Sequence, residues 1–164
     1  MHSGFPNRRT ALAAAGAMLL FPLAGAAAAA AAARPKITVH KDPNCGCCSL
    51  WAEHLRAAGF TVETIDNAAI NRLKSKLGVP RELASCHTAE VGGYVIEGHV
   101  PASAIDKLLA MRPDAKGLAV PDMPAGSPGM EGEGTPAVEY TVFLFGAFGQ
   151  RPFARFAGTR ELPV

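Results

Sequence analysis

Charge is scarce in this sequence and unevenly placed. Asp, Glu, Lys and Arg make up 18% of its 164 residues, and the first 33 hold no acid and only Arg8 and Arg9 as bases. Two of the 16 basic residues lie in that stretch, so the rest of the chain carries 14 basic against 14 acidic residues and is formally neutral. No basic stripe remains to grip a phosphate backbone, which excludes nucleic acid as a partner. Aromatic residues are few, at 7%, with Trp51 the single tryptophan, and there is no internal repeat. The length suits one domain with additions and is too short for two ordinary ones.

Residues 1–33 read as an export signal: a short basic segment, an apolar run over 11–24 and an alanine tract with many small-x-small cleavage sites. Cleavage is expected just before Arg34, leaving a domain over 34–164. The stretch Asn7-Arg8-Arg9-Thr10-Ala11-Leu12 resembles a twin-arginine signal without the usual aromatic and lysine, so that route and general secretion both stay open. An uncleaved anchor is the alternative, because residues 11–33 carry no charge; alanine, glycine and proline make them a weak span. The leader points to a bacterial periplasm, with no membrane attachment after cleavage.

After the leader the pattern changes. Lys36-Ile37-Thr38-Val39-His40 is a β-branched run ended by Asp42-Pro43-Asn44, which predicts a strand and a turn. Residues 48–58 predict a helix stopped by Gly59, 60–66 a second strand, and 68–77 a second helix with Ile70, Leu73 and Leu77 on one face. His87–Ala89 and 93–98 predict a strand pair, and 101–111 a helix with proline in its first turn. This β-α-β-α-β-β-α order is that of a thioredoxin-like α/β fold, a small mixed sheet with helices on both faces. Residues 117–136 hold five glycines and four prolines, which predicts a long loop, functional or disordered, and excludes a helix or central strand. The runs 139–145 and 153–156 predict a C-terminal strand pair with Gly146 and Gly149 in its turn.

All four cysteines lie beyond the leader: three in Asn44-Cys45-Gly46-Cys47-Cys48, and Cys86 in Ser85-Cys86-His87-Thr88. An even count in an exported chain ordinarily means structural disulfides. Here three sulfurs crowd into four consecutive residues, so any two-bridge pairing staples little chain, and one of them needs a strained vicinal bond. Reactive or metal-binding sulfur is the better reading. At a strand end and first helical turn, backbone N–H groups and the helix dipole favour thiolates, and lowered pKa values are expected. Zinc sites usually separate their cysteines into two pairs, whereas crowded thiolates suit bridging between ions, and Cu(I) is the soft metal expected outside the cytoplasm.

Met123 and Met130 lie in the Gly/Pro loop without helical periodicity, where a thioether suits a soft metal; the plainer alternative is that they are incidental or cap the core. His87 adjoins Cys86 and ranks first among the histidines. His40 and His99 rank behind it as rim residues, while His54 and Trp51 read as packing residues of the first helix. The candidate metal ligands are therefore Cys45, Cys47, Cys48, Cys86, Met123, Met130 and His87.

These residues, taken together, carry a resemblance. The run from His40 to Cys48, Trp51, His54-Leu55, Ser85-Cys86-His87-Thr88-Ala89, Gly98-His99-Val100-Pro101, Gly117 to Pro121 with Met123, and Gly126-Ser127-Pro128-Gly129-Met130-Glu131 resemble the CopG-type periplasmic copper-resistance family, over about 36–145. The resemblance implies a thioredoxin-fold scaffold whose Cys-x-Cys-Cys site, with one further cysteine and nearby ligands, holds a multinuclear copper cluster and helps cells handle Cu(I) and Cu(II). Carried over by position, it makes Cys45, Cys47, Cys48 and Cys86 the copper ligands.

The expected function is to hold Cu(I) in the periplasm, several ions per chain through thiolate bridges, for copper resistance or copper redox handling. A periplasmic copper donor or acceptor protein is the implied partner, and a passive one-ion carrier shares the same chemistry. The Gly/Pro loop is expected to close over the site when its methionines engage copper. The alternative is a thiol-disulfide oxidoreductase using Cys45 and Cys48, a Cys-x-x-Cys pair at a strand-to-helix turn. That reading leaves Cys47, Cys86 and the loop methionines without work, and residues 85–90 lack the proline such enzymes place opposite the pair.

Overall fold

The alternation after the leader does build a strand: β1 spans Ile37–Lys41, with Ile37 and Val39 completely buried. In this computed structural model residues 34–134 and 136–163 are described, and the export signal expected over 1–33 lies outside them. After β1 the chain reverses at Asp42, whose carboxylate accepts the Asn44 N–H (2.9 Å) and whose carbonyl accepts the Cys45 N–H (3.0 Å). It then enters α1 (Gly46–Ala57), two residues earlier than composition predicts. Next come β2 (Val62–Asp66), α2 (Ile70–Leu77), a 3-10 turn (Arg81–Leu83), β3 (His87–Val91), β4 (Tyr94–Glu97) and α3 (Ala102–Met111). Gly92 and Gly93 both take positive φ, the requirement of a tight hairpin turn between β3 and β4.

Four more strands, β5 (Gly117–Ala119), β6 (Glu139–Gly146), β7 (Gly149–Ala157) and β8 (Arg160–Leu162), complete a mixed eight-stranded sheet in the order β2-β1-β3-β4-β5-β6-β7-β8. β1 runs parallel to β2 and β4 parallel to β5; the other neighbours are antiparallel. β5 corrects the expectation that 117–136 holds no central strand. The prolines of that segment begin at Pro121, so averaging over twenty residues hid three that are strand-competent. Gly117 lets β5 come close, because a Cβ there would stand 1.7 Å from the Val95 carbonyl oxygen. The C-terminal strand pair is present and longer than expected, and β8 extends it.

Buried apolar side chains form two clusters. The larger joins Ile37, Val39 and Ile96 of the sheet to Trp51 of α1 and Ile105 and Leu108 of α3. The smaller joins Val95, Ala119 and Phe145 to Val79 and Leu83. Adjacent strand residues such as Val95 and Ile96 enter different clusters, as the pleat requires. No helix among the described residues is long and apolar enough to cross a membrane. Register brings three chain segments to one end of the sheet: Lys41 pairs with His87 and Thr88 with Glu97, so the start of β3 adjoins both the β1–α1 turn and the end of β4.

Candidate metal centre

The first turn of α1 starts with Cys45 at the N-cap, without a side-chain cap and without an acidic residue behind it. Its first N–H groups thus lack a side-chain cap, and an uncapped helix N-terminus favours negative charge beside it. Buried Lys41 braces the preceding turn, donating to the Asp42 (3.2 Å) and Pro43 (3.4 Å) carbonyls and pairing with Asp66 (3.0 Å). Cys86, from the segment entering β3, meets this turn from across the sheet. All four sulfurs lie within 4.8 Å of one another. Cys45 and Cys48 are joined by a disulfide, with Cα atoms 5.4 Å apart, while Cys47 and Cys86 are free. The Cys47 sulfur stands 3.5 Å from that of Cys45 and 3.9 Å from that of Cys86.

A second grouping shares Cys86 with two imidazoles. Its sulfur is 3.3 Å from His87 Nδ1 and 3.1 Å from His99 Nε2, and both rings are completely buried. His87 lies against Trp51 with ring centroids 4.2 Å apart, and its Nε2 has no hydrogen-bond partner among the described residues. His99 is therefore no rim residue. Its Nδ1 lies 2.8 Å from the Pro128 carbonyl, which can only accept, so Nδ1 carries the proton and Nε2 turns a lone pair toward Cys86. That outer hydrogen bond fixes the tautomer a metal ligand needs. The signal for His99 lies in the hairpin: Glu97 opposite Thr88, and the Gly98 N–H donated to the His87 carbonyl (3.2 Å), put residue 99 beside Cys86.

The electrostatics favour neutral nitrogen and protonated sulfur. Burial, then the neighbouring His99 and Lys74, holds His87 well below the usual histidine range. Burial also lowers His99, against the opposing pull of the Pro128 carbonyl and the Glu131 charge. The Cys86 thiol is pushed up to about 12 by burial and by the Cys47 sulfur, so metal must displace its proton. Below the unfolded histidine value of 6.5, the unfolded chain takes up a proton that folded His87 refuses. Stability of the metal-free protein should accordingly fall as pH drops below 6.5, by up to about 1.4 kcal/mol per pH unit for this one ring. Urea midpoints at about pH 7.5 and about pH 5.5, on either side of that value, check this. An unchanged midpoint would contradict a neutral buried His87.

The other sequence candidates fall in different places. His54 accepts the Ala102 N–H (3.1 Å) and caps α3, and the Trp51 indole donates to the Val100 carbonyl (2.9 Å), so α1 ties down the segment after His99. His40 pairs with Thr88 in the sheet, one residue out of step with His87, and lies 3.5 Å from Glu90. Met123 is 49% exposed and lines an open cavity of about 460 Å³ with Tyr140, Thr141 and Phe143. Met130 is half-buried and directly follows Gly129.

The Gly/Pro loop is seated on the site by Pro128 and Gly129. Glu131 accepts the Gly129 N–H (2.6 Å), and a Cβ on Gly129 would stand 2.7 Å from the Trp51 nitrogen and 2.8 Å from the Cys47 carbonyl, at φ +84°. Gly129→Ala should cost roughly 2 to 4 kcal/mol through left-handed strain and overpacking on α1. Limited proteolysis should then cut within 121–136 faster than in the parent; equal cutting would show that this contact does not hold the loop.

A family described as "Protein of unknown function, DUF411" matches residues 83–130. No curated protein matches the chain. Among solved structures, copper resistance protein CopG, form 1, is 45% identical, with a TM-score of 0.69, over 76% of this chain and 99% of that one. Form 2 of the same protein is 44% identical, with a TM-score of 0.68, over 79% of this chain and 99% of that one. With that identity across a solved relative's full length, and with a cysteine and histidine cluster fit for a soft metal, this chain belongs to the CopG-type copper-resistance family.

Proposed function

We propose that the protein holds Cu(I) in the periplasm as a multinuclear, thiolate-bridged centre, for copper resistance or copper redox handling. One observation carries the reading: four cysteine sulfurs lie within 4.8 Å of one another, and one of them, Cys86, also faces two buried imidazoles. A single ion cannot use every donor in such a group, whereas sulfur bridging two ions can. Cys45, Cys47, Cys48 and Cys86 are the core ligands, His87 and His99 the nitrogen ligands, and Met123 and Met130 the thioethers of the covering loop. The scaffold is thioredoxin-like with helices on both faces; the order β2-β1-β3-β4 with β1 and β2 parallel, and the division of α1 and Val79–Leu83 between two clusters, support that assignment. Delivery to the periplasm rests on the export signal over 1–33, and a copper donor or acceptor protein there is the natural partner.

The second reading, thiol-disulfide exchange, is favoured by the Cys45–Cys48 disulfide. Copper per chain separates the two. The domain from Arg34 onward, reduced and loaded without oxygen, should retain two or more Cu(I) ions against a chelator. One ion would make it a carrier, and none, with reversible Cys45–Cys48 oxidation, would make it redox machinery.

A further inference from the structure

A buried ion pair lies on the other side of β3 and β4 from the sulfurs, and no part of the copper reading uses it. Glu97 is completely buried and the Lys74 side chain is 5% exposed. The Glu97 carboxylate accepts three donors: Lys74 Nζ (2.5 Å), the Ser85 backbone N–H (2.7 Å) and the Thr88 hydroxyl (2.6 Å). Lys74 also donates to the Thr88 hydroxyl oxygen (2.8 Å). Ser85 and Thr88 are the residues on either side of Cys86 and His87. One carboxylate thus grips both ends of the segment that carries two of the ligands, and its own strand runs on through Gly98 to the third, His99.

We infer that Glu97, with Lys74 as its counter-ion, is a positioning residue that sets where Cys86 stands relative to Cys47 and His99; the inference rests on the copper-binding reading. Stability alone does not call for such a pair, since well-packed apolar residues serve a core as well or better than buried charges. Holding Ser85 and Thr88 at once requires two acceptor oxygens on one rigid strand, which an apolar side chain lacks. Outer groups that orient ligands typically change metal affinity by about 10- to 100-fold when removed.

The test compares the parent with Lys74→Met/Glu97→Leu, Thr88→Val and Thr88→Ser. Cu(I) affinity is read by chelator competition, folding by urea midpoint, and Cys86 placement by its alkylation rate in metal-free protein, mapped by mass spectrometry. The double variant leaves no unpaired charge but orphans the Ser85 N–H and the Thr88 hydroxyl, so its midpoint should fall modestly while it binds Cu(I) about 10- to 100-fold more weakly and alkylates at Cys86 at a changed rate. Thr88→Val should move in the same direction, and Thr88→Ser should keep parental values. A double variant that folds, with parental affinity and alkylation rate, would overturn the inference. Should the double variant fold poorly, parental behaviour of Thr88→Val would overturn it equally. If the parent itself holds no copper, the copper reading fails while the alkylation rates still decide the positioning role.

Discussion

Changing Cys86 to serine is expected to weaken Cu(I) binding by more than about a hundredfold, because loss of a mere outer-sphere contact can already cost that much. Cys86 is the junction of the site: its sulfur is 3.9 Å from Cys47, 3.3 Å from His87 and 3.1 Å from His99. A serine hydroxyl occupies the same space but is a hard, protonated ligand that bridges soft ions poorly. Folding should survive, since Cys86 is only half-buried and packs no apolar cluster. Chelator competition measures the loss, and affinity within about tenfold of the parent would remove Cys86 from the centre. The same thiol sets a pH dependence. With its proton held up to about 12, binding releases that proton, so affinity should fall about tenfold for each pH unit of acidification.

The oxidation state of Cys45 and Cys48 should control capacity as strongly as Cys86 controls affinity. Joined to each other, these two sulfurs offer no thiolate, and thiolate is the ligand. The donors left are Cys47, Cys86, His87 and His99, enough for about one ion. Reduction adds two electrons and two protons and returns two thiols, so copper per chain should at least double when the protein is loaded after reduction. Metal analysis of the two preparations, loaded side by side without oxygen, reads this directly. Equal capacity would mean that the pair lies outside the centre and belongs to the exchange chemistry of the second reading.

Much of this architecture was legible because the signals are local. Ile37 and Val39 alternate, Ile70 and Leu77 keep helical spacing, and Gly59 and Gly78 mark where helices stop, so the order from β1 to α3 is written in the chain itself. The start of α1 at Gly46 rather than Cys48 has no local signal, because its N-cap is a cysteine and not a residue of the Ser, Thr, Asp or Asn kind. β5 escaped because its strand-forming residues are three in number and adjoin a proline-rich stretch.

The same distinction divides the site. Four cysteines in two motifs announce their chemistry by spacing. His99 joins them through the pairing of β3 with β4: the hairpin is legible, but its register, which sets residue 99 beside Cys86, is not written in the neighbouring residues. Lys74 sits among Asn71, Ser75 and Lys76 on a helix whose apolar face is Ile70, Leu73 and Leu77, so nothing local marks it for burial, and Glu97 looks like an ordinary strand end. Their burial against each other appears only once the sheet is assembled. The loop is the intermediate case: its glycines announce special backbone, but not that Gly129 alone fits against the first turn of α1.

Copper K-edge X-ray absorption on the reduced, Cu(I)-loaded domain tests the central claim most directly, since it sees both the ligands and the neighbouring metal. A thiolate-bridged centre predicts a sulfur-dominated first shell with a minor nitrogen contribution and a resolved copper–copper distance beyond it. A shell of nitrogen or oxygen alone, or sulfur without any copper–copper scattering at full loading, would contradict the account.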